Sequence, residues 1–206
     1  MGDSELRELE IFATNIARSA GQLIQGYFGN PLKVEYKLGS QSNPVTEADK
    51  KSEDYLTNAI QKEFPGHGIL AEEGSEVNST DSDYIWIIDP LDGTNNFLNG
   101  FPVFAVSVGL LRRGIPSAGG IFLPSTTEQA GNVFHSSIGG GAFRDDKPIN
   151  VTSSDKPQRG QLTALPSFHQ RLFRPTKDWR LNSGQIRGPG SIAYELAMTA
   201  CGVMQY

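Results

Sequence analysis

The sequence predicts a layered fold of helices and β-strands, in the α+β or α/β class. Two segments with the period of an α-helix come first along the chain, and several segments with the alternation of β-strands follow them. Tight turns between these strands favour antiparallel pairing. A chain of 206 residues can bury one large core or two modest lobes. We therefore expect helices packed against a largely antiparallel sheet.

The first predicted helix runs from about residue 4 to residue 28. Its apolar side chains recur every three or four positions, and a Gly-Asn-Pro sequence ends the pattern. A second helix is expected from about residue 46 to residue 63. Thr46 is suited to the N-cap position, and Asp49, three positions later, can complete a capping box.

The predicted strands follow the helices. Residues 101–111 alternate in the way expected of a strand that is packed on both faces. Residues 112–114 predict a tight turn into a strand at 115–123, and two shorter strands are expected near 128–135 and 139–143. Four antiparallel strands after two helices predict an α+β layer.

The sequence pattern changes after residue 147, which divides the chain into two predicted lobes. Residues 1–147 would form an α+β lobe that carries the functional site, and residues 148–206 a partial α/β lobe that contributes substrate contacts. This second lobe contains a predicted helix near 191–200 and a strand that starts at Val203 with an unpaired edge. The helix residues expected to be buried are Ile192, Leu196 and Ala200.

The stretch from Trp86 to Phe97 carries the strongest functional signal. A run of apolar residues leads to Asp89 and Asp92, and after Gly93 come Thr94 and Asn95, either of which is suited to the N-cap position of a helix. Pro90 favours an extended backbone at Asp89, which places that residue at the end of a strand. Carboxylates bind hard divalent cations, and a helix N-terminus can receive an anion. We interpret the stretch as a cation site beside a phosphate; the alternative is an Asp-Gly turn with carboxylates that only cap it.

Three other segments carry patterns of the same kind. Residues 69–74 form a short apolar strand that ends in paired acids, residues 43–49 read Asn-Pro-Val-Thr-Glu-Ala-Asp, and residues 187–193 read Arg-Gly-Pro-Gly-Ser-Ile-Ala. Together with residues 86–97, they resemble four motifs of the inositol monophosphatase family, in that family's order. The resemblance implies a magnesium-dependent, lithium-sensitive phosphomonoesterase. It also implies the αβαβα sandwich of the inositol monophosphatase and fructose-1,6-bisphosphatase type.

The resemblance assigns roles to individual residues. Thr94, with its hydroxyl held by Asp49, would position or deprotonate the attacking water, and the backbone N–H groups of Gly93 and Thr94 would receive the phosphate. The implied catalytic residues are Thr94, Asp49 and Glu72; the metal ligands are Glu72, Asp89, Leu91 (through its carbonyl) and Asp92; the substrate-binding residues are Glu72, Leu91, Asp92, Gly93, Thr94, Gly190 and Ser191.

The implied cofactor is Mg²⁺, with two or three ions in each site of the family. The family places a further aspartate for the second metal in a downstream Trp-Asp-x-Ala-Ala-Gly motif, which does not occur before Tyr206. We therefore expect the second metal site to lack a ligand and the C-terminal lobe to be incomplete.

The predicted function is hydrolysis of a small phosphate monoester, inositol 1-phosphate or a related sugar phosphate, by metal-activated water. A bisphosphate nucleotidase or a histidinol phosphatase of the same family is the first alternative. Nucleotidases, however, have Lys-Glu-Phe where this chain has Asn95, Asn96 and Phe97. A metal- and phosphate-binding protein without turnover, or a regulatory protein, is the second alternative, and the missing aspartate favours it.

Composition and charge argue against several other classes of protein. The net charge of −5 without a basic run argues against a nucleic-acid partner. The three histidines lack the spacing of zinc ligands, and a single cysteine excludes an internal disulfide. Neither a signal peptide nor an apolar run of membrane-spanning length is found in the sequence. We expect a cytoplasmic protein without a membrane partner, and a homodimer as is common in the family.

Overall fold

A computed structural model of the chain describes residues 3–36, 44–74, 76–77, 82–125, 130–153, 158–165, 174, 176–177 and 184–205. The helices are α1 (Asp3–Gln25), α2 (Glu47–Glu63), α3 (Thr94–Leu98) and α4 (Ile192–Ala200). The strands are β1 (Val34–Tyr36), β2 (Pro44–Thr46), β3 (Gly68–Ala71), β4 (Glu76–Val77), β5 (Tyr84–Asp92), β6 (Ala105–Arg112), β7 (Ile115–Leu123), β8 (Asn132–Ser137), β9 (Gly141–Arg144), β10 (Lys147–Pro148), β11 (Leu162–Ala164), β12 (Gln185–Arg187) and β13 (Met204–Gln205).

An eight-stranded mixed sheet lies at the centre of the structure, with the strand order β10-β9-β8-β7-β6-β5-β3-β4. Strands β5 to β10 pair antiparallel in sequence order, so the predicted antiparallel run is confirmed. Strand β3 instead runs parallel to β5, and β4 pairs antiparallel with β3 at the edge. Because β3 and β5 are parallel, the residues that follow them meet at one end of the sheet.

Helices cover both faces of this sheet. Helix α1 packs on β6, β7 and β8 and helix α2 on β5, around a core that includes Trp86 and Phe122. Helix α4 packs on the opposite face, in a smaller core with Ala105 and Phe134. It also contacts β13 of a parallel three-stranded sheet with the order β12-β11-β13. The predicted layered mixture of helices and sheets is confirmed. In the described part of the chain, we find no helix with the length and apolar character needed to cross a bilayer.

Helix α2 begins as the sequence predicts. The Thr46 side chain accepts hydrogen bonds from the backbone N–H groups of Ala48 (3.1 Å) and Asp49 (3.4 Å). In return, Asp49 Oδ2 accepts one from the Thr46 N–H at 2.8 Å. This reciprocal pair is the predicted capping box, and it fixes Asp49 in the first turn of the helix.

Several element boundaries differ from the predictions. Helix α1 ends at Gln25, three residues before the expected end, and β6 begins at Ala105 and not near 101. The delay in β6 has a local cause: the Phe101 N–H bonds back to the Asn96 carbonyl (2.9 Å), so the chain is still turning there. Strand β8 starts at Asn132 and not near 128; residues 128 and 129 lie outside the described ranges.

The prediction for the buried face of α4 is wrong. Ile192 and Leu196 are 48% and 61% exposed, and Ala200 is only partly buried, whereas Ala193 and Ala197 are buried against the sheet. Two alanines four positions apart let the helix approach the sheet closely. The strand after α4, β13, pairs parallel with β11 and is the outer strand of its sheet, so one of its sides has no strand partner among the described residues. The lobe boundary near residue 147 stays a prediction.

A half-buried histidine, His67, packs against aromatic side chains of the core. The rings of Phe64 and Tyr84 stack on His67 with centroid distances of 4.7 and 4.6 Å. The indole N–H of Trp86 donates a hydrogen bond to His67 Nδ1 at 3.1 Å, so this nitrogen carries no proton. Burial lowers the pKa of His67 below its usual range, and the negative charge of Glu5 opposes this shift.

We expect His67 to make the fold less stable in mild acid. Below pH 6.5, the ordinary value for histidine, the unfolded chain takes up a proton that folded His67 does not bind. The free energy of unfolding should therefore fall as the pH drops below 6.5. The His67→Gln variant, which keeps an acceptor for Trp86, should lose this part of the pH dependence. Urea unfolding at pH 7.5 and pH 5.5 measures it, and an equal pH dependence in both proteins would contradict the prediction.

Candidate active site

Two acidic residues meet where the parallel strands β3 and β5 end. Glu72 follows β3 directly, and its N–H donates to the Ile88 carbonyl at 3.2 Å, which places it beside Asp89 of β5. Burial, together with the negative charges of Glu72 and Asp92, raises the pKa of Asp89 to about 8. The three predicted carboxylates therefore lie close enough to repel one another in a partly buried place.

An irregularity in β5 brings Asp89 and Asp92 towards the same side. Residues three positions apart on a regular strand point to opposite faces of a sheet. The pairing of β5 with β6 shifts register between Asp89 and Asp92, as at a β-bulge. Within this irregular stretch, the Leu91 N–H donates to Asp89 Oδ1 at 3.1 Å. The Leu91 side chain is buried, so its carbonyl is the part of this residue that is available to a cation.

The turn after β5 requires a glycine. Gly93 has a φ of 92°, in the left-handed region. A side chain there would also approach the Val103 carbonyl at 3.0 Å and Ser191 Cβ at 3.1 Å. Gly93 is the N-cap of α3, so the expectation that Thr94 or Asn95 caps this helix is wrong. The Thr94 hydroxyl is therefore not used for capping.

The Thr94 hydroxyl lies between Asp49 and a backbone carbonyl. Its Oγ1 is 3.2 Å from Asp49 Oδ1 and 3.0 Å from the Leu91 carbonyl oxygen. A hydroxyl has a single proton, so it donates to one of these acceptors at a time. Burial raises the pKa of Asp49, and hydrogen bonds from Thr46 oppose that shift. Asp49 thus combines its role in the capping box with the contact to Thr94 that the resemblance implies.

Asp92 connects the site to helix α4. Its Oδ2 accepts hydrogen bonds from Ser191 Oγ (2.8 Å) and from the Ala193 N–H (2.6 Å). Ser191 is the N-cap of α4, so Asp92 adds a negative charge at the positive end of this helix. Burial raises the pKa of Asp92, and these two hydrogen bonds oppose the shift. The contact places Gly190 and Ser191, both predicted substrate-binding residues, beside Gly93.

Sequence reasoning missed three residues that hold the site together. Asn96 Nδ2 donates to the carbonyls of Val103 (2.7 Å) and Pro189 (2.8 Å), which ties the turn after α3 to the segment before α4. Ser52 and Glu53 of α2 are buried and hydrogen-bonded to segments that carry the predicted ligands. Polar residues on the buried stripe of a predicted helix are a signal that could have found Ser52 and Glu53.

The chemistry of this donor set fits a hard divalent cation. Carboxylate and carbonyl oxygens are the ligands that Mg²⁺ prefers, and a cation would relieve the repulsion among Glu72, Asp89 and Asp92. Considering only the residues that the structure describes, no three or more His, Cys, Asp or Glu side chains are grouped so that they could hold a metal ion. The predicted metal ligands therefore stay a prediction.

Comparisons with known proteins identify relatives over nearly the whole chain. The model of the inositol monophosphatase family matches residues 5–206. "Phosphatase IMPL1, chloroplastic" of Arabidopsis thaliana is 33% identical, and the match covers 92% of this chain and 52% of that protein. The "Fructose-1,6-bisphosphatase/inositol-1-monophosphatase" of Aquifex aeolicus is 35% identical over 91% of this chain and 71% of its own length. Extragenic suppressor protein suhB from Bartonella henselae has a similar structure, with a TM-score of 0.80, 33% identity and coverage of 92% and 73%. The chain thus spans about half to three quarters of these proteins.

Proposed function

Because the chain belongs to the inositol monophosphatase family, we propose that it is a magnesium-dependent phosphatase acting on a small phosphate monoester. One observation supports the proposal: the charges of Glu72 and Asp92 act on Asp89 near the end of the parallel strand pair, and Thr94, two residues after Asp92, keeps its hydroxyl 3.2 Å from Asp49 Oδ1. Oxygen donors and a hydroxyl at one place are what hydrolysis of an anionic ester requires, since the ester must be neutralised and a water oriented.

In this proposal, four residues would hold Mg²⁺ through oxygen atoms. They are Glu72, Asp89, Asp92 and Leu91, the last through its backbone carbonyl. Bound Mg²⁺ would supply positive charge that neutralises the phosphoryl oxygens and lowers the barrier to attack. The N–H groups of Gly93 and Thr94 would hold the phosphate, because the left-handed turn at Gly93 brings the backbone close to the site without a side chain.

Thr94 would orient the attacking water, and Asp49 would accept a proton from it through the Thr94 hydroxyl. When the Thr94 hydroxyl donates to Asp49 Oδ1, the lone pairs of Oγ1 are free to accept a hydrogen bond from the water and to orient it. Burial raises the pKa of the Asp49 carboxyl, so Asp49 is a better proton acceptor than an exposed aspartate. Gly190 and Ser191, held next to Asp92, would contact the alcohol part of the substrate.

The substrate class is tested by phosphate release from a small panel, with Mg²⁺ and with a chelator. We expect release from inositol 1-phosphate that depends on Mg²⁺ and is inhibited by lithium. Fructose 1,6-bisphosphate belongs in the panel because the Aquifex aeolicus relative carries both names. Adenosine 3′,5′-bisphosphate and histidinol phosphate test the first alternative. A chain that binds Mg²⁺ and releases phosphate from none of them would contradict the proposal and favour a non-catalytic protein.

The cytoplasmic location and the homodimer stay predictions. Sedimentation of the purified chain would measure its oligomeric state, and a monomer at all concentrations would contradict the dimer.

A further inference from the structure

Helix α2 presents three polar residues to the candidate site. Asp49, Ser52 and Glu53 occupy positions i, i+3 and i+4, which lie on one face of a helix. All three are buried, and Glu53 is only 5% exposed. Further along the helix, the buried residues are the apolar Leu56 and Ile60. Burying a carboxylate and a hydroxyl in this position is unfavourable unless each has a hydrogen-bond partner.

The partners of Ser52 and Glu53 are backbone groups next to predicted metal ligands. Ser52 Oγ donates to the carbonyl of Pro90 at 2.8 Å, in the irregular stretch between Asp89 and Asp92. Glu53 Oε2 accepts a hydrogen bond at 3.0 Å from the N–H of Glu73, the residue that follows Glu72. The two bonds therefore reach the two strand ends that supply the acidic residues of the site.

Both strand ends are places where regular sheet pairing stops. Strand β3 ends at Ala71, and the chain turns at Glu72 and Glu73 before β4 begins. The register shift leaves β5 without regular pairing between Asp89 and Asp92. A backbone that the sheet does not hold would let the three acids move apart, because they repel one another. Hydrogen bonds from the first turns of α2 oppose this movement, since Ala48 and Ile60 keep the helix packed in the core.

We infer that Ser52 and Glu53 are positioning residues that hold the backbone at Pro90 and at Glu73, so that the oxygens of Glu72, Asp89 and Asp92 converge on Mg²⁺. The inference rests on the proposed function for the identity of the ion. Neither side chain touches the substrate in this arrangement; each acts through the peptide that it binds. Outer residues that orient metal ligands typically change metal affinity or activity by about 10–100-fold when they are replaced.

The test compares four variants of the full chain with the wild type. Glu53→Ala removes the acceptor for the Glu73 N–H, and Glu53→Gln keeps an acceptor oxygen of similar reach. Ser52→Ala removes the donor to Pro90. Leu56→Ala, on the same helix, removes packing without touching the site and serves as the matched control. Calorimetry gives the Mg²⁺ affinity of each protein without substrate, and NMR hydrogen exchange reports the protection of the Glu73 amide in the metal-free protein.

We expect Glu53→Ala to bind Mg²⁺ about 10–100-fold more weakly and to lose protection at the Glu73 amide. Glu53→Gln should recover most of both. Leu56→Ala should have a lower melting temperature and an unchanged Mg²⁺ affinity. If Ser52 and Glu53 only stabilised α2, a variant that destabilises the helix by another route would weaken Mg²⁺ binding as well. If Glu53→Ala does not fold, Ser52→Ala decides the test: weaker Mg²⁺ binding supports the inference, and unchanged binding overturns it.

Two further results would overturn the inference. One is wild-type Mg²⁺ affinity in a folded Glu53→Ala protein, and the other is an equal loss of affinity in Leu56→Ala. A different result would contradict the proposed function and leave the positioning role intact. A wild-type chain that binds Mg²⁺ but releases phosphate from no substrate would contradict the phosphatase proposal, while the comparison of Mg²⁺ affinities would still support the positioning role.

Discussion

Replacing Asp89 with asparagine should abolish most of the magnesium-dependent turnover of this chain. Asp89 lies near Glu72 and Asp92, and their charges raise its pKa. The substitution keeps the size of the side chain but removes the charge that a hard cation requires. Metal ions supply several kcal/mol of transition-state stabilisation, so we expect kcat/KM to fall by about 10²–10³-fold at a fixed Mg²⁺ concentration. Steady-state phosphate release measures the effect.

The loss should not come from unfolding. Asp89→Asn removes a carboxyl whose charged form is disfavoured by burial and by the charges of Glu72 and Asp92, so the metal-free variant should melt at the same temperature as the wild type or higher. The same substitution at the exposed Asp146 is a matched control, and it should change neither turnover nor Mg²⁺ affinity. Unchanged Mg²⁺ affinity and turnover in Asp89→Asn would show that Asp89 is not a ligand.

Much of the fold could be predicted because the decisive signals are local. Thr46 and Asp49 are three positions apart, and the capping box they form needs only the first turn of α2. The turn between β6 and β7 is also local: Arg113 and Gly114 both have positive φ angles, 50° and 79°, which suits a two-residue hairpin. Buried and less buried residues alternate along much of β6, and this alternation identifies the face of the strand that lies against the core.

The buried face of α4 could not be predicted in the same way. Apolar residues occur all round this short helix, so its sequence does not distinguish the side with Ile192 and Leu196 from the side with Ala193 and Ala197. The choice depends on a contact between residues 101 positions apart, the hydrogen bond from the Ala193 N–H to Asp92. Such a contact fixes the rotation of the helix without leaving a periodic signal in the sequence.

The residues of the candidate site also differ in how far they could be predicted from the sequence. Asp89, Leu91, Asp92, Gly93 and Thr94 belong to one stretch, so their closeness along the chain was predictable, whereas the register shift that brings Asp89 and Asp92 towards the same side was not. The residues that hold this stretch in place come from elsewhere in the chain. Glu53 bonds to a residue 20 positions away, and Asn96 bonds to Pro189. Their partners are backbone atoms, which every residue has, and therefore no pattern of side chains reveals the pairing.

Replacing Thr94 with valine should lower kcat far more than it changes KM. Valine has nearly the same shape as threonine but no hydroxyl, so it removes the contacts to Asp49 Oδ1 and to the Leu91 carbonyl. If Thr94 orients the attacking water, the lost interaction matters chiefly in the transition state. Acid–base groups of this kind typically contribute 10²–10⁴-fold, and we expect kcat to fall by about 10²-fold.

A matched variant separates the hydroxyl from the backbone at this position. Thr94→Ser keeps the hydroxyl and should retain most of the wild-type kcat, whereas a purely steric role would leave valine, which has the shape of threonine, closer to the wild-type rate than serine. Gly93 caps α3, so neither variant removes a helix cap, and both should fold like the wild type. Initial rates over a range of inositol 1-phosphate concentrations give kcat and KM for the three proteins. An interaction that is made only in the transition state has to appear in kcat. If Thr94→Val raises KM and leaves kcat unchanged, Thr94 therefore binds the substrate but does not take part in the attack of water.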